Sequence, residues 1–525
     1  MASSIKHESD GAPELFIALV GPVGTDLGAV FKSMKRVLRG VDYASHEIKL
    51  SKTLSSANKA NGGPAKIHED ERIDNLMKVG DDLRRKMKRG DAVAALSILD
   101  VIAIRNRAKK GDQTYLPRTA YIFNSLKHPD EVEKLRDVYG DSLVVVSIHT
   151  PKDDRIKFLA QKIAKTHTKI DPSKFEDVAA RLVEKDYKTS DSYGQNVMET
   201  FPLADVFIDG SGDVDAQIKR FIELLFGNPF ITPTVDEYGM FFAKAASLRS
   251  SDLSRQVGAV ITTDLGEVIA TGCNEVPEAG GGHAWEGKSL PRDNRDFRVG
   301  QDANAVMKHE IITEVFEALK GAGWLSADKS ELTPDDLMKM SLYDASAPLS
   351  GKKVANIIEF GRIIHAEMSA ITDAARRGHE LKHSTLYCTT FPCHMCARHI
   401  IAAGIERAVY IEPYEKSSTR TLYSDQIQFD VTKPSDGRVS FHPFIGIAPT
   451  LYGRLFDMRP RKDKRTGHIL SWDGDAAEPR IRGSHKAYLA NETALLDIVR
   501  DIAKRSGLIE GESVPTVGGA DDVRK

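Results

Sequence analysis

His365-Ala-Glu367 opens an apolar-periodic run, Met368, Ile371, Ala374 and Ala375, which ends at Gly378, and Ser384-Thr-Leu-Tyr-Cys-Thr-Thr390 leads into Phe391-Pro-Cys393-His-Met-Cys396. The first stretch has the period of a helix, the second reads as a strand, and the third starts another helix. Helix, strand and helix in that order bring both helix starts to one end of a sheet. Cysteines three residues apart on a first helical turn point the same way, so Cys393 and Cys396 can share one metal ion. A helix N-terminus also favours their thiolate forms. His365 supplies the third ligand. Three protein ligands leave one zinc position for a water whose pKa falls towards neutrality, so that it can attack an electron-poor ring carbon. Glu367, two residues past the histidine, is placed to take the water proton and hand it on. A structural zinc site needs a fourth ligand, and the two other cysteines, Cys273 and Cys388, sit in apolar runs that read as core.

A His-x-Glu followed by Pro-Cys-x-x-Cys is the signature of zinc-dependent nucleobase deaminases. Upstream, Gln256-Val-Gly-Ala-Val-Ile261 and Gly266-Glu-Val-Ile-Ala-Thr-Gly-Cys-Asn-Glu-Val-Pro277 read as two strands around a turn at Asp264-Leu-Gly266. From here the chain resembles the deoxycytidylate deaminase branch of the cytidine deaminase superfamily. That resemblance implies that Asn274 contacts base or sugar. Tyr387-Cys-Thr-Thr-Phe-Pro-Cys393 looks more like this branch than like the tRNA adenosine deaminases, which carry a Glu where Phe391 stands. Arg376 matches an arginine that reaches substrate phosphate, and reads equally well as a helix-end cation complementing the dipole. Tyr414 matches an active-site tyrosine, although a packed tyrosine would look the same in sequence.

The 525 residues, 41% hydrophobic and 28% charged, suffice for two or three domains. A formal net charge of -2 predicts no general attraction to nucleic acid. The polar opening, Met1 to Glu14, does not read as a signal peptide, and no apolar run is long enough to span a membrane. Four cysteines, two of them assigned to metal, form a cytosolic pattern without a disulfide framework, so the expected location is cytoplasmic.

The first half carries a second theme. Leu15-Phe-Ile-Ala-Leu-Val20 reads as a buried strand, Gly21-Pro-Val-Gly-Thr-Asp-Leu-Gly28 as a glycine loop and Ala29 to Leu38 as a helix, the order of a P-loop. Asp26, Leu27 and Gly28 stand where a true P-loop has Gly, Lys and Ser or Thr, which argues against phosphoryl transfer. Strands at Thr119–Asn124, Leu143–Ile148 and Ala204–Ile208 alternate with helices at Pro129–Tyr139 and from Arg155, predicting a doubly wound parallel sheet. This half resembles nucleoside monophosphate kinases with a degraded P-loop. Gly21, Gly24 and Thr25 are candidates for binding a regulatory nucleotide, with Arg118, Asn124, Ser125, Lys127 and His128 expected to cluster at a strand end; a fold kept only for packing is the alternative.

The expected fold is therefore α/β throughout. A flexible 1–14 precedes a kinase-like domain over 15–228, a cytidine-deaminase-like α/β/α domain over 229–446 with an insertion at 278–359, and a C-terminal extension over 447–525. Within the insertion a helix is expected from Val306 to Gly321, mobility over Ser326–Leu349, and a polar-surface role for His283; within the extension, a helix from Asn491 to Arg505. With Pro233-Thr-Val-Asp-Glu-Tyr238 and Arg249-Ser-Ser-Asp-Leu-Ser-Arg-Gln-Val-Gly258, the chain resembles the antiphage dCTP deaminases of bacteria. The resemblance implies zinc-dependent deamination of dCTP, and of dCMP less firmly, which would starve an infecting phage. It also implies a homo-oligomer and, in some relatives, a small inhibitory RNA. A cytosine deaminase of single-stranded nucleic acid would need a basic groove with stacking aromatics, which the balanced charge and 7% aromatic content do not advertise. A nucleotide-sensing protein with a secondary deaminase site is the remaining alternative.

Overall fold

The computed structural model describes residues 12–60, 68–108, 114–187, 189, 191–287, 293–344, 347–413, 417–431, 436–481, 483–505 and 507. The chain forms two compact units. One joins Met1–Glu237 to Ile445–Lys525, and the other is the continuous stretch Tyr238–Phe444. In chain order the strands are β1 (Leu15–Val20), β2 (Ala44–Lys49), β3 (Thr119–Leu126), β4 (Leu143–His149), β5 (Val206–Asp209) and β6 (Gly258–Thr262). They continue with β7 (Val268–Cys273), β8 (Thr385–Thr390), β9 (Arg407–Glu412), β10 (Ile427–Phe429), β11 (Val439–Pro443) and β12 (Gly446–Ile447). The fold is mixed α/β, with two sheets that are mainly parallel.

The first unit's sheet has the order β12-β5-β4-β1-β3-β2. Its pairs from β5 to β2 are parallel, and only the short β12 runs antiparallel, against β5. Helices cover both faces, so Phe16 to Val20 and Val144 to Val146 are wholly buried, as near-continuous apolar strands must be. Sequence reading places β1, β3, β4 and β5 within a few residues but misses β2, whose alternation Ala-Ser-His-Glu-Ile-Lys is polar because it is an edge.

Three sequence expectations need correction here. Ala12 and Glu14 are buried, Glu14 in a pair with Arg105, so flexibility cannot extend to residue 14; residues 1–11 lie outside the described set. Arg118 precedes β3 while Asn124 to His128 span its far end and the residues just beyond, so Arg118 is at the opposite end of the strand, bonded to the Val41 carbonyl, and the expected cluster loses it. The stretch after Gly446 is no appendage. Ile447, Leu451, Leu455, Ala477 and Ile481 join the first unit's core, and the last helix is longer than expected, His485–Arg505. Glu237 fastens this return: its carboxylate takes Arg220 at 2.7 Å and the Ile447 N–H at 2.8 Å.

The second unit's sheet runs β10-β11-β9-β8-β6-β7, parallel from β10 to β8 and antiparallel over β8, β6 and β7. The β6–β7 hairpin turns at Gly266, whose φ of 86° is open to glycine at little cost. Ala259, Ile261, Leu386, Cys388, Ala408 and Phe441 form its core with Ala366, Ala370, Ala397 and Ile400 from two helices. Within the insertion, the helix expected from Val306 begins at Ala303, capped by Asp302. The supposedly mobile region contains helices Ala327–Ser330 and Pro334–Leu342, the latter burying Leu337 and Met338. Among the described residues no helix is long and apolar enough to cross a membrane.

Candidate metal centre

His365 is the N-cap of the helix Ala366–Arg376, and Cys393 is the N-cap of the helix His394–Ala402, with β8 between them. The carboxyl end of β8 leads directly into the second of these helix starts, and the approach of His365 to both cysteines puts the first beside it. Two glycines let the scaffold close. Gly258 of β6 leaves no room for a Cβ against the Ala243 carbonyl, and at Gly272 of β7 an added Cβ would sit 2.2 Å from the Ala366 carbonyl and 2.5 Å from the Ala370 nitrogen. The helix that carries Glu367 therefore rests directly on the β7 backbone. Gly272→Ala is expected to force that helix outward, costing about 1–3 kcal/mol as overpacking does, and to lower turnover more than zinc content; thermal unfolding with metal analysis checks it. A second tether runs from the Glu275 carbonyl, which accepts the Ile364 N–H at 3.1 Å just ahead of the histidine.

The ligand atoms of His365, Cys393 and Cys396 lie within 4.8 Å of one another, the only such His/Cys/Asp/Glu cluster among the described residues. Nδ1 of His365 is 3.3 Å from each sulfur. Two ligands with zinc bond lengths of about 2.1 and 2.3 Å stand roughly 3.6 Å apart across a tetrahedral angle, so the donor set fits Zn2+. The hydrogen bond from the Cys396 thiol, and after it His365, hold Cys393 down at about 4 against its burial, favouring the thiolate. The hydrogen bond with Cys393 in turn pushes His365 up to about 9. Cys396 goes the other way: burial raises its thiol far above the usual range. Binding a metal exchanges these protons for the ion, since ligands bind as thiolate and neutral imidazole.

Glu367 is 4% exposed, and its Oε2 accepts from the Cys396 thiol at 3.3 Å. Burial raises its carboxyl above the ordinary carboxylate range, with the Cys393 charge adding to the effect. A carboxyl poised to hold a proton beside three metal-binding atoms suits general acid/base work.

The other sequence candidates fare differently. Asn274 is buried, but its Oδ1 accepts the Val257 N–H and its Nδ2 donates to the Arg255 carbonyl, both at 2.7 Å. It thus holds the loop over 250–257. Glu275 assists by accepting the Ser251 N–H and hydroxyl. Arg376 is half exposed in the last helical turn, paired with Asp373 at 2.6 Å and about 14 Å along the axis from Glu367, an arrangement that suits a helix-end cation. Tyr414 lies outside the described residues. His283 is not polar surface: its imidazole lies between Arg249 at 3.1 Å and the Ser369 hydroxyl at 2.9 Å, with burial lowering its pKa. Sequence reasoning missed two neighbours. The Asp252 charge reaches His365, and Cys388, which the strand pattern marked only as core, has a thiol raised by burial and by Glu367. Both lie in stretches that carry the family resemblance, Arg249–Gly258 and Tyr387–Cys393, but nothing in those stretches singles out either residue as a neighbour of the metal ligands.

Residues 233–412, about a third of the chain, match the cytidine and deoxycytidylate deaminase zinc-binding region. The chain is 46% identical over 54 residues to the deoxycytidylate deaminase of Enterobacteria phage T4, covering 10% of this chain and 28% of that protein. It is 26% identical over 200 residues to a probable deoxycytidylate deaminase of Drosophila melanogaster, covering 37% and 70%. It thus spans under a third of the phage relative's length. Among solved structures, dCMP deaminase of cyanophage S-TIM5 in apo form aligns over 41% of this chain and 99% of that chain, at 15% identity and a TM-score of 0.21. The sequence matches support the deaminase superfamily for the segment that holds the metal cluster.

Proposed function

We propose that the Tyr238–Phe444 unit carries out zinc-dependent hydrolytic deamination of deoxycytidine nucleotides, dCTP in the first place and dCMP as the second candidate, to the deoxyuridine nucleotide and ammonia. The observation that carries this reading is the buried Glu367 carboxyl against a His365, Cys393 and Cys396 cluster of zinc-fitting geometry. Zinc held there would supply Lewis acidity, lowering the pKa of water at its remaining position to about 7. Glu367 takes the proton of the attacking water at its carboxylate and passes it to the ring nitrogen N3; it then takes the second proton from the hydroxyl now on C4 and gives it to the amino group, so that the C4–N bond breaks, ammonia leaves and the C4 carbonyl forms. Burial, which raises its carboxyl above the ordinary carboxylate range, favours its taking up the water proton.

The remaining roles belong to the same proposal. Asn274 orients base or sugar through the hydrogen-bonding capacity its backbone contacts leave over, and Arg376 and Tyr414 contact the nucleotide. Consumption of dCTP in an infected cell would serve antiviral defence, in a homo-oligomer restrained by a small RNA, and Gly21, Gly24 and Thr25 would seat a regulatory nucleotide. These rest on the resemblance of the motifs. The test is chromatographic product analysis of zinc-loaded protein with dCTP, dCMP, CTP and a cytosine-containing single-stranded oligonucleotide, with Glu367→Ala as the blank. Loss of free deoxynucleotide only with intact Glu367 is expected; activity confined to the oligonucleotide would replace the proposal with nucleic-acid editing.

A further inference from the structure

Strand order in the first unit reverses at β1, which has β3 on one side and β4 on the other. Open parallel sheets take their ligands at such a point, outside the carboxyl ends of the strands. Here that place is built by the glycine loop that follows Val20 and by the end of β3. Asp26 does not enter it: its Oδ1 turns away to cap the helix Leu27–Arg39, accepting the Ala29 N–H at 3.1 Å. The acidic residue that argued against an anion site in the sequence is therefore spent on the helix.

Another carboxylate is in the seat. Asp186, from the last turn of the helix Glu176–Tyr187, is fully buried, and its Oδ2 accepts the Val23 N–H at 2.7 Å. Lys127, just past β3, pairs with Asp186 Oδ1 at 3.0 Å and donates to the Gly21 carbonyl at 2.7 Å. An anionic oxygen on a loop N–H with a lysine as counter-ion is the set of contacts that a phosphate makes in a glycine loop. Two more features fit a ligand. The Thr25 hydroxyl is buried within the loop without a hydrogen-bond partner among the described residues. Gly24, at φ 92°, packs against Arg155 so closely that a Cβ would meet the Arg155 carbonyl at 2.5 Å, so only glycine lets the loop pass there.

We propose that Asp186 is an intramolecular anion seated in the glycine loop, and that this loop takes a phosphate group by exchanging it for the Asp186 carboxylate. Lys127 replaces the missing P-loop lysine and serves whichever anion is present. Asp186 thereby sets a threshold, because a phosphate-bearing ligand must displace a charge-assisted contact before it gains its own. The inference rests on the nucleotide reading of Gly21, Gly24 and Thr25 and is independent of the deaminase site.

The test is calorimetric titration of the full chain with inorganic tripolyphosphate and with ATP, for wild type, Asp186→Asn and Asp186→Asn/Lys127→Met. Asparagine keeps the acceptor for Val23 while removing the charge. Asp186→Asn is expected to bind about tenfold tighter or more, the effect of one charge-assisted hydrogen bond, and the double variant to lose the gain. Equal affinity in wild type and Asp186→Asn would leave nucleotide binding standing but overturn the exchange. Absence of binding in both, or a gain that survives loss of Lys127, would overturn the loop as the seat. Should the asparagine variant not fold, Asp186→Ala, which clears the seat, answers the same question.

Discussion

Glu367→Ala is expected to lower kcat by roughly 10²–10⁴-fold, the range assigned to general acid/base catalysis, while the chain retains its zinc. One carboxyl is asked to move protons at two stages, so the upper part of that range is expected. Metal retention follows from geometry. The cluster is complete in His365, Cys393 and Cys396, and Glu367 meets it only as the acceptor of the Cys396 thiol. Cys393→Ser should give the opposite pattern, losing metal and activity together. Metal analysis beside the rate assay separates the two. A Glu367→Ala protein that loses its zinc, or one that turns over at the wild-type rate, would remove Glu367 from the chemistry.

The second large effect is expected far from the metal. Arg105→Ala should destabilise the first unit by about 3–5 kcal/mol, the cost of breaking a buried ion pair and leaving its partner. The Arg105 guanidinium, 2% exposed, bridges two fully buried carboxylates, Glu14 at 2.9 Å and Glu492 at 2.7 Å. Glu14 also accepts the hydroxyls of Tyr121 at 3.1 Å and Tyr488 at 2.8 Å, and the Leu116 N–H at 2.9 Å. Without the arginine the two carboxylates face each other with no cation between them. Burial already raises Glu492 above the ordinary carboxylate range. In the variant, the folded state therefore binds a proton more readily than the unfolded state, and stability should recover as the pH is lowered. Denaturant midpoints of wild type and variant at neutral and mildly acidic pH check both statements. An unchanged midpoint would show that the cluster contributes no net stability.

Local chemistry made the metal ligands legible. His365, Glu367, Cys393 and Cys396 fall within 32 consecutive residues, and the elements between them follow from period and composition, so spacing and geometry carry the same information. The β1 strand and its glycine loop were readable for a similar reason: six apolar residues followed by Gly21 and Gly24 leave few alternatives. Asn274 was marked by its place in a hairpin, yet its amide is bonded to the Arg255 and Val257 backbone, partners set by how the 250–257 loop folds back. His283, which reads as surface, is half-buried because Arg249 and Ser369 approach it from segments 34 and 86 residues away.

From the residues alone came the ligand set of one candidate metal centre and the class of fold, because both rest on contacts between near neighbours and on periodicities that any short window displays. Tertiary structure alone decided that Glu14 and Glu492, 478 positions apart, share Arg105, that the chain after Gly446 completes the first unit's core, and that Asp186 sits in the glycine loop. Each of these is a buried polar or apolar group whose partner is fixed by the closing of long loops. Closure over such separations leaves no periodic trace in the residues themselves, since its entropy depends only weakly on loop length and its reward comes from the packing that it makes possible.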